Sequence, residues 1–262
     1  MRENSAGTTK PDLKGFSVDY SWKHFGVTKH LGGVYATDRL IKMCAITPGQ
    51  YVLDIGCGTG YTACLLTKKH HARVVASDIN LGLLEEAKRR ISREGLTDGI
   101  MIKEADAQEL PFSDDTFDAV IAESVLVFCD KVKAASEIRR TLKTGGVFGD
   151  NEGTYRRPPP PELAELMAQA SQTSGGVMLE DEWRAVYQEA GFKDTLSAVY
   201  SLNSKEEFVS ALRVNGLRFI ASNVKAMFDP TVRGALLSRS SYGAIRKTYS
   251  YMGYGLYVSR KD

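Results

Sequence analysis

Short apolar runs rich in β-branched residues alternate with longer amphipathic segments between about residues 50 and 150. The short runs read YVLDI, RVVASDI, IMIKEAD, FDAVIAES and GGVFGDN, and the longer ones cover roughly 60–70, 81–94 and 131–142. Strands that alternate with helices favour right-handed βαβ crossovers and a parallel sheet covered on both faces. The pattern therefore predicts an α/β fold built on a doubly wound sheet.

The segment 81–94 illustrates the local signals. Asn80 can cap the start of a helix, apolar residues recur at helical spacing after it, and Gly95 follows as a stop. We expect one amphipathic helix here, with its charged residues facing water.

The pattern changes after residue 150. Arg156 and Arg157 precede four consecutive prolines, a stiff connector whose last member suits the first turn of a helix. A short helix is predicted over 180–190, a strand over KDTLSAVYS, and mostly helical structure over 204–250. The run GYGLYVSRK at 253–261 predicts a closing strand.

Composition narrows the class of protein. The 262 residues carry a net charge of only +2, which argues against constitutive binding to nucleic acid. No apolar run approaches the roughly 20 residues that span a bilayer, and the polar start lacks a signal-peptide core, so a soluble, cytoplasmic protein is expected. Four cysteines without paired spacing indicate reduced thiols, and no metal site is predicted.

The charge is unevenly distributed along the chain. Residues 1–202 carry 24 basic and 28 acidic side chains, whereas 203–262 carry 10 and 4. The basic last quarter is either a solvated helical surface or a face attracted to anionic lipid headgroups.

The main chemical signal is VLDIGCGTG, which leaves a predicted strand and enters a predicted helix. Gly56, Gly58 and Gly60 allow a tight turn and a close approach of backbone amides to a ligand. The third glycine comes one residue too early for a dinucleotide fingerprint, and Asp54 would suit a cationic ligand better than a pyrophosphate.

Acidic residues also follow the next predicted strands. Asp78 lies 18 residues beyond Gly60, close to the spacing at which an acid meets ribose hydroxyls. Asp106 with Ala107 follows the third strand, and Glu123 ends the fourth. These positions are at the carboxyl ends of parallel strands, where open α/β sheets bind ligands.

The chain resembles class I S-adenosylmethionine-dependent methyltransferases over roughly residues 30–202. The stretches that carry the resemblance are VLDIGCGTG, VVASDI, EADAQELPFSDDTFDAVIAES and LKTGGVF. The resemblance is to the small-molecule group that includes ubiquinone and menaquinone methyltransferases. It implies a Rossmann-like sheet of seven strands with the last antiparallel, and S-adenosylmethionine as cofactor. It also implies four regions: a helical lid segment at 1–45, the cofactor-binding core at 46–202, a helical insertion at 203–250 and a closing strand at 251–262.

The resemblance assigns roles to particular positions. Asp54 and the glycine loop, Cys57 included, would hold the methionine part, Asp78 the ribose and Ile79 the adenine face. Asp106 and Ala107 would meet the adenine amino edge. Tyr35 is a candidate contact to the methionine carboxylate, and Glu123 could also assist cofactor binding. The D/N-P-P-Y/F tetrad of amino-directed nucleic-acid methyltransferases is absent, because the chain reads AESV from Ala122 to Val125.

In this fold an acceptor is expected beneath two covers, the aromatic-rich segment 16–40 and residues 203–250. Gly32 and Gly33 suit a mobile joint in the first cover. If the acceptor must lose a proton, the candidate bases are His24, His30, Glu123 and Glu152. For each histidine, a surface or structurally satisfied role is the alternative, and Glu152 could instead cap a turn.

The sequence therefore predicts methyl transfer from S-adenosylmethionine to a small or lipid-like acceptor, with quinones among the candidate acceptors. A catalytically silent regulatory module that binds S-adenosylmethionine or S-adenosylhomocysteine is the alternative from another class, and a dehydrogenase of the dinucleotide fold is the rival among enzymes. An oligomer is compatible with the sequence.

Overall fold

The computed structural model describes residues 30–165, 176–230, 233 and 250–262. Its strands are β1 (Tyr51–Ile55), β2 (Arg73–Asp78), β3 (Ile100–Glu104), β4 (Phe117–Glu123), β5 (Leu142–Tyr155), β6 (Met178–Leu179), β7 (Thr195–Ser201) and β8 (Met252–Arg260). Its helices with bounds inside the described residues include α1 (Gly33–Cys44), α2 (Tyr61–His70), α3 (Leu81–Arg93), α4 (Lys131–Thr141), α5 (Glu180–Glu189), α6 (Ser204–Asn215) and α7 (Leu217–Phe228). A 3₁₀ turn covers Leu126–Phe128.

The strands form one sheet in the order β3-β2-β1-β4-β5-β8-β7, with the two-residue β6 paired to β5. The pairs β1–β2, β1–β4, β2–β3 and β4–β5 are parallel, whereas β8 runs antiparallel to both β5 and β7. The predicted doubly wound sheet with an antiparallel last strand is confirmed. The short β6 was not predicted from the sequence.

Strand β5 is longer than its sequence pattern indicated. GGVFGDN suggested an end near Asn151, but the strand continues to Tyr155 because antiparallel β8 pairs with it as far as Tyr155 opposite Met252. Glu152 therefore lies inside a central strand and not on the rim that follows it, and its side chain is fully buried.

Two apolar layers cover the sheet. On one face Leu40 and Ile41 of α1 pack with Leu66 of α2 and Ile91 of α3. On the other face a second cluster is formed by buried residues of β4, α4 and α5, among them Phe117, Ile138, Trp183 and Tyr187. Covering both faces buries the apolar strands on each side, as expected for parallel sheets.

Helix α3 confirms its sequence signals. Asn80 caps it through its side-chain oxygen, which accepts the N–H of Leu83 at 3.2 Å, and Gly95 adopts φ +68° just beyond its end. Leu84, Ala87 and Ile91 are its buried residues. Capping and amphipathic spacing together fix the helix in place against the sheet.

Helix α6 packs on the beginning of α1. The backbone N–H of Gly32 donates to Glu207 at 2.6 Å, and that of Val34 donates to the Ser210 hydroxyl at 3.1 Å. A methyl group added at Gly33 would lie 2.3 Å from Cβ of Ser210. Both glycines therefore serve close packing in this conformation, and the mobile joint at Gly32 and Gly33 stays a prediction.

Candidate functional site

The glycine loop joins β1 to α2 at the carboxyl edge of the sheet. Gly56, Gly58 and Gly60 have φ values of +62°, +53° and +76°. The loop is bonded to the end of β2, since Cys57 N–H donates to the Ser77 carbonyl at 2.9 Å and Gly58 N–H to the Asp78 carboxylate at 3.0 Å. The strands β1 and β2 thus fix the loop together.

Gly56 also contacts the turn after β4. A Cβ at this position would lie 2.4 Å from Cγ2 of Val125, closer than side chains tolerate. The absence of a side chain therefore allows the loop and the turn to close on each other, and the positive φ adds a second reason for glycine.

Asp54, just before the loop, is 2% exposed. Burial raises the pKa of its carboxyl group, and the nearby charge of Glu123 raises it further, while a hydrogen bond from the Ala63 backbone opposes the shift. Its Oδ2 has no hydrogen-bond partner within the described residues. A buried carboxylate oxygen without a partner is costly unless a cation or donor meets it, so this atom is suited to a positively charged ligand.

Asp78 ends β2 and is largely buried. One carboxylate oxygen accepts Gly58 N–H at 3.0 Å and the other accepts Asn80 N–H at 2.8 Å. Burial raises its pKa, and these backbone donors oppose the rise. Each oxygen of the Asp78 carboxylate retains a lone pair for a further donor. The next residue, Ile79, exposes 66% of its surface.

Asp106 and Ala107 follow β3. The Asp106 carboxylate accepts the N–H of Gln108 at 2.8 Å, which holds the turn, and Ala107 is buried.

Cys57 is buried in the glycine loop, and burial raises the pKa of its thiol. Its thiol is therefore neutral and acts as a packing group near neutral pH.

Glu123, the last residue of β4, is the centre of a polar cluster. Its Oε1 accepts the Thr62 hydroxyl at 2.8 Å, and its Oε2 accepts the Thr37 hydroxyl at 2.8 Å. Nε2 of His30 lies 3.1 Å from the same Oε2, and 3.0 Å from the Thr37 oxygen. The cluster joins the start of α1, the first turn of α2 and the end of β4 around one carboxylate.

The turn after β4 is held by a buried glutamate. Glu152 Oε1 accepts the backbone N–H groups of Val125, Leu126 and Val127 at 2.9, 2.7 and 3.3 Å. Ser124, immediately before them, has φ +59°, a left-handed conformation that costs energy for a non-glycine residue. Glu152 thus compensates a strained turn beside the glycine loop.

Asp150 lies two residues before Glu152 on the same strand and is equally buried. Its Oδ2 accepts the Tyr187 hydroxyl at 2.8 Å. Burial raises the pKa of both carboxyl groups, that of Glu152 to about 7, and the charge of Glu152 raises the pKa of Asp150 further. The three backbone donors favour ionised Glu152, so Asp150 is the better holder of a proton.

The site residues predicted from the sequence differ in where the structure places them. The loop, Asp54, Asp78 and Glu123 meet at one edge, whereas Glu152 lies beneath it and His24 lies outside the described residues. Tyr35 is half-buried on α1. Sequence reasoning missed Thr37 and Thr62, which both bind Glu123. The position of Thr62, on the first helical turn after the glycine loop, could have indicated a role at the site. No feature of the sequence pointed to Thr37.

Comparison with known proteins is consistent with this geometry. The family model described as a methyltransferase domain matches residues 53–149. The chain is 30% identical over 239 residues to an uncharacterized methyltransferase, YodH, of Bacillus subtilis, covering 90% of this chain and 96% of that protein. It is 34% identical over 138 residues to a ubiquinone/menaquinone biosynthesis C-methyltransferase of Xanthomonas oryzae pv. oryzae, covering 52% and 49%.

Among solved structures, a putative sarcosine dimethylglycine methyltransferase from Galdieria sulphuraria has the same fold. The two superpose with a TM-score of 0.71 at 17% identity, covering 93% of this chain and 97% of the other.

Proposed function

This chain belongs to the class I S-adenosylmethionine-dependent methyltransferases, and we propose that it methylates a small apolar acceptor of the quinol or phenol type. The observation that carries the acceptor proposal is the pairing of His30 with Glu123, 3.1 Å apart, at the carboxyl end of β4. An imidazole oriented by a carboxylate is a suitable general base for an acceptor that must lose a proton.

The cofactor of this family fits the residues at the site. The unpartnered Oδ2 of Asp54 suits the positively charged amino group of the methionine part. The remaining lone pairs of Asp78 suit two ribose hydroxyls, and exposed Ile79 suits an adenine face. We further assign the cofactor site to Tyr35, Gly56, Cys57, Gly58, Gly60, Asp106 and Ala107. Bound S-adenosylmethionine supplies a methyl group made electrophilic by its sulfonium sulfur.

His30 would remove a proton from the acceptor hydroxyl. If Nε2–H donates to Glu123, the neutral ring keeps its basic lone pair on Nδ1. Proton uptake makes the ring an imidazolium, and the Glu123 carboxylate stabilises that charge. The deprotonated acceptor then has an electron-rich oxygen and, in a phenol, an electron-rich ring carbon beside it.

Glu123 is in turn fixed by two hydroxyl groups. Thr37 and Thr62 donate to its two oxygens, so the carboxylate cannot rotate away from His30 without losing both bonds. Such a supporting shell keeps a base in productive orientation. We therefore place Glu123 as the orienting group of the pair.

Glu152 receives a different role from the predicted one. Its complete burial and its three bonds to the turn support a positioning function, because a base must reach the proton that it removes. It would act through the turn at 125–127, which contacts Gly56.

Two further observations support an apolar acceptor. Phe128, on the turn after β4, exposes 52% of its surface at the edge that holds the site. A relative with 34% identity is named a ubiquinone/menaquinone biosynthesis C-methyltransferase. An isoprenoid-tailed quinol combines an acidic hydroxyl with an apolar body, and is the acceptor class that we propose.

The test measures S-adenosylhomocysteine formation with a reduced, demethylated isoprenoid naphthoquinone as probe acceptor, and identifies the product by mass spectrometry. We expect His30→Asn to lower kcat by about 10²–10⁴-fold, the usual contribution of a general base, while S-adenosylhomocysteine binds as in the wild type. The matched control is His71→Asn, because His71 is exposed beyond the end of α2.

Full turnover by His30→Asn would remove His30 as the base. Turnover on another component of a metabolite extract, but not on the quinol, would show that the proposed acceptor class is wrong. The role of His30 would then be tested with His30→Asn on that other acceptor. Cofactor binding with no turnover on any extract component would instead support the silent regulatory module.

A further inference from the structure

Helix α7 presents an apolar face to solvent. Leu217, Ile220, Val224, Met227 and Phe228 follow one another at spacings of three, four, three and one residues, which aligns them on one side of a helix. We call these five residues the α7 apolar face. Their exposed fractions are 81%, 49%, 51%, 68% and 74%.

The opposite side of α7 supplies its contacts with the protein. Phe219 packs edge to face on Phe208 of α6, with ring centroids 5.5 Å apart, and Ser222 is the one buried residue of the helix. The helix is thus attached through Phe219 and Ser222, on the side opposite to the α7 apolar face. Within the described residues its wider apolar side is left to solvent, although such contiguous exposure is unusual in a monomeric protein.

The charged residues within α7 are all basic, although Glu86 of α3 and Asp229 at the end of the helix lie beside them. Helix α7 contains no acidic residue, and Arg218 and Lys225 flank the apolar stripe on the same side. Arg218 also reaches Glu86 of α3 at 2.9 Å, and its side chain remains 63% exposed. The charge of the whole stretch 203–262 is basic as well, with 10 basic and 4 acidic residues.

An apolar stripe beside lysine and arginine is the arrangement of helices that lie in the interface of a bilayer. A helix of 12 residues is about 18 Å long, too short to cross the roughly 30 Å hydrocarbon core. Basic flanks match anionic headgroups, whereas a second copy of the same face would bring like charges together.

We propose that α7 is a membrane-docking helix that binds anionic lipid bilayers, with the α7 apolar face inserted at the level of the headgroups and Arg218 and Lys225 toward the lipid phosphates. This inference goes beyond the proposed function and does not depend on it, since it concerns where the protein binds and not what it methylates. Lipid binding is measured without cofactor or acceptor.

The experiment is co-sedimentation of the purified full chain with sucrose-loaded vesicles of phosphatidylcholine, with and without phosphatidylglycerol. We expect binding to the vesicles that contain phosphatidylglycerol, weakening as salt is added. The double substitution Val224→Glu with Met227→Glu should weaken binding at least about tenfold. Arg218→Gln and Lys225→Gln should each weaken it about fivefold.

The matched control is Met101→Glu with Leu196→Glu. These residues lie on the edge strands β3 and β7, are 60% and 69% exposed, and give the same change in net charge. The control should bind vesicles nearly as the wild type does. Unchanged S-adenosylhomocysteine affinity and an unchanged thermal midpoint show that each variant is folded.

Three results would overturn the proposal. The first is wild-type protein that stays in the supernatant with both kinds of vesicle. The second is an equal loss of binding in the edge-strand control, which would mean a general charge effect. The third is a dimer in light scattering that the α7 substitutions dissociate while vesicle binding is absent, which would assign the face to a second copy of the chain.

Discussion

At the scale of single residues, carboxyl groups dominate the site and differ by their partners. Asp78 has a backbone donor on each oxygen, Asp54 keeps one oxygen unpartnered, and Glu123 accepts two hydroxyl groups and faces His30. Glu152 is fully buried and bonded to a turn. One functional group, the carboxyl group, thus serves ligand binding, base orientation and backbone support, according to what surrounds it.

Asp78→Asn is expected to weaken cofactor binding. Asparagine keeps the shape but loses the negative charge that strengthens hydrogen bonds to ribose hydroxyls, each worth about 1.5–3 kcal/mol with a charged acceptor. The dissociation constant of S-adenosylhomocysteine, measured by calorimetry, should rise about 10- to 100-fold. One of the two N–H donors of Gly58 and Asn80 also loses its acceptor, so stability should fall by about 1 kcal/mol.

Asp98→Asn is the control for this substitution, because Asp98 is exposed and lies on the loop before β3. Wild-type affinity in Asp78→Asn would remove Asp78 from the ribose site.

At the scale of elements, the site depends on how two connections fit together. The glycine loop after β1 and the turn after β4 come from neighbouring parallel strands, so both emerge at the same edge. Gly56 and Val125 are the point of contact, and Glu152 of β5 holds the turn from below. Three adjacent strands therefore determine the shape of the loop.

Gly56→Ala should destabilise the protein by about 2–4 kcal/mol. The new methyl group would overlap Val125 Cγ2, which is 2.4 Å away, and alanine is strained at φ +62°. Urea unfolding of the single variants and of Gly56→Ala with Val125→Ala gives a double-mutant cycle. We expect the double variant to be at least about 1 kcal/mol more stable than the sum of the single effects.

Additive effects of Gly56→Ala and Val125→Ala would contradict the contact and leave backbone strain as the whole cost. Gly49→Ala serves as control, because Gly49 has φ +84° but nothing within 4 Å of an added Cβ.

At the scale of the whole molecule, the sheet separates two apolar layers and carries buried polar groups at its centre. Asp150 and Glu152 lie on β5, which pairs with β4 and β8 on its two sides, so solvent reaches neither carboxyl group. Burial without a full set of partners makes their ionisation costly. The folding equilibrium of the entire chain therefore depends on their protonation.

Stability should fall as pH rises from about 5 to about 8. Burial raises the folded-state pKa of Glu152 to about 7 and that of Asp150 well above its usual range, so the folded protein binds more protons than the unfolded chain in this window. The contribution of these bound protons to the free energy of unfolding is full below the unfolded-state pKa values. It is lost as pH rises through the folded-state pKa values. Urea unfolding at a series of pH values measures the slope.

Glu152→Gln should reduce this slope, because one of the two coupled carboxyl groups is replaced by a neutral amide that can still accept N–H bonds. Glu109→Gln is the surface control, since Glu109 is exposed. A slope in Glu152→Gln equal to that of the wild type would show that this pair does not govern the pH dependence.

The sequence by itself determined the local elements of the protein and the place of the ligand edge. Alternation of β-branched runs with amphipathic segments depends on short-range spacing, so strands β1 to β4 and helices α2 to α4 could be predicted. Asn80 and Gly95 bounded α3 through local backbone preferences. The glycine loop and Asp78 were likewise visible because their chemistry depends on neighbours and fixed spacing along the chain.

Only the tertiary structure decided which distant residues meet and which side of an element is covered. Thr37 lies on α1, Thr62 on α2 and His30 just before α1, and their contacts with Glu123 arise from the packing of α1 and α2 on the sheet. The run GGVFGDN predicted that β5 ends before Glu152, but pairing with β8 extends the strand and buries this residue. The apolar face of α7 was equally indeterminate, because periodicity defines a stripe but long-range packing decides whether another element covers it.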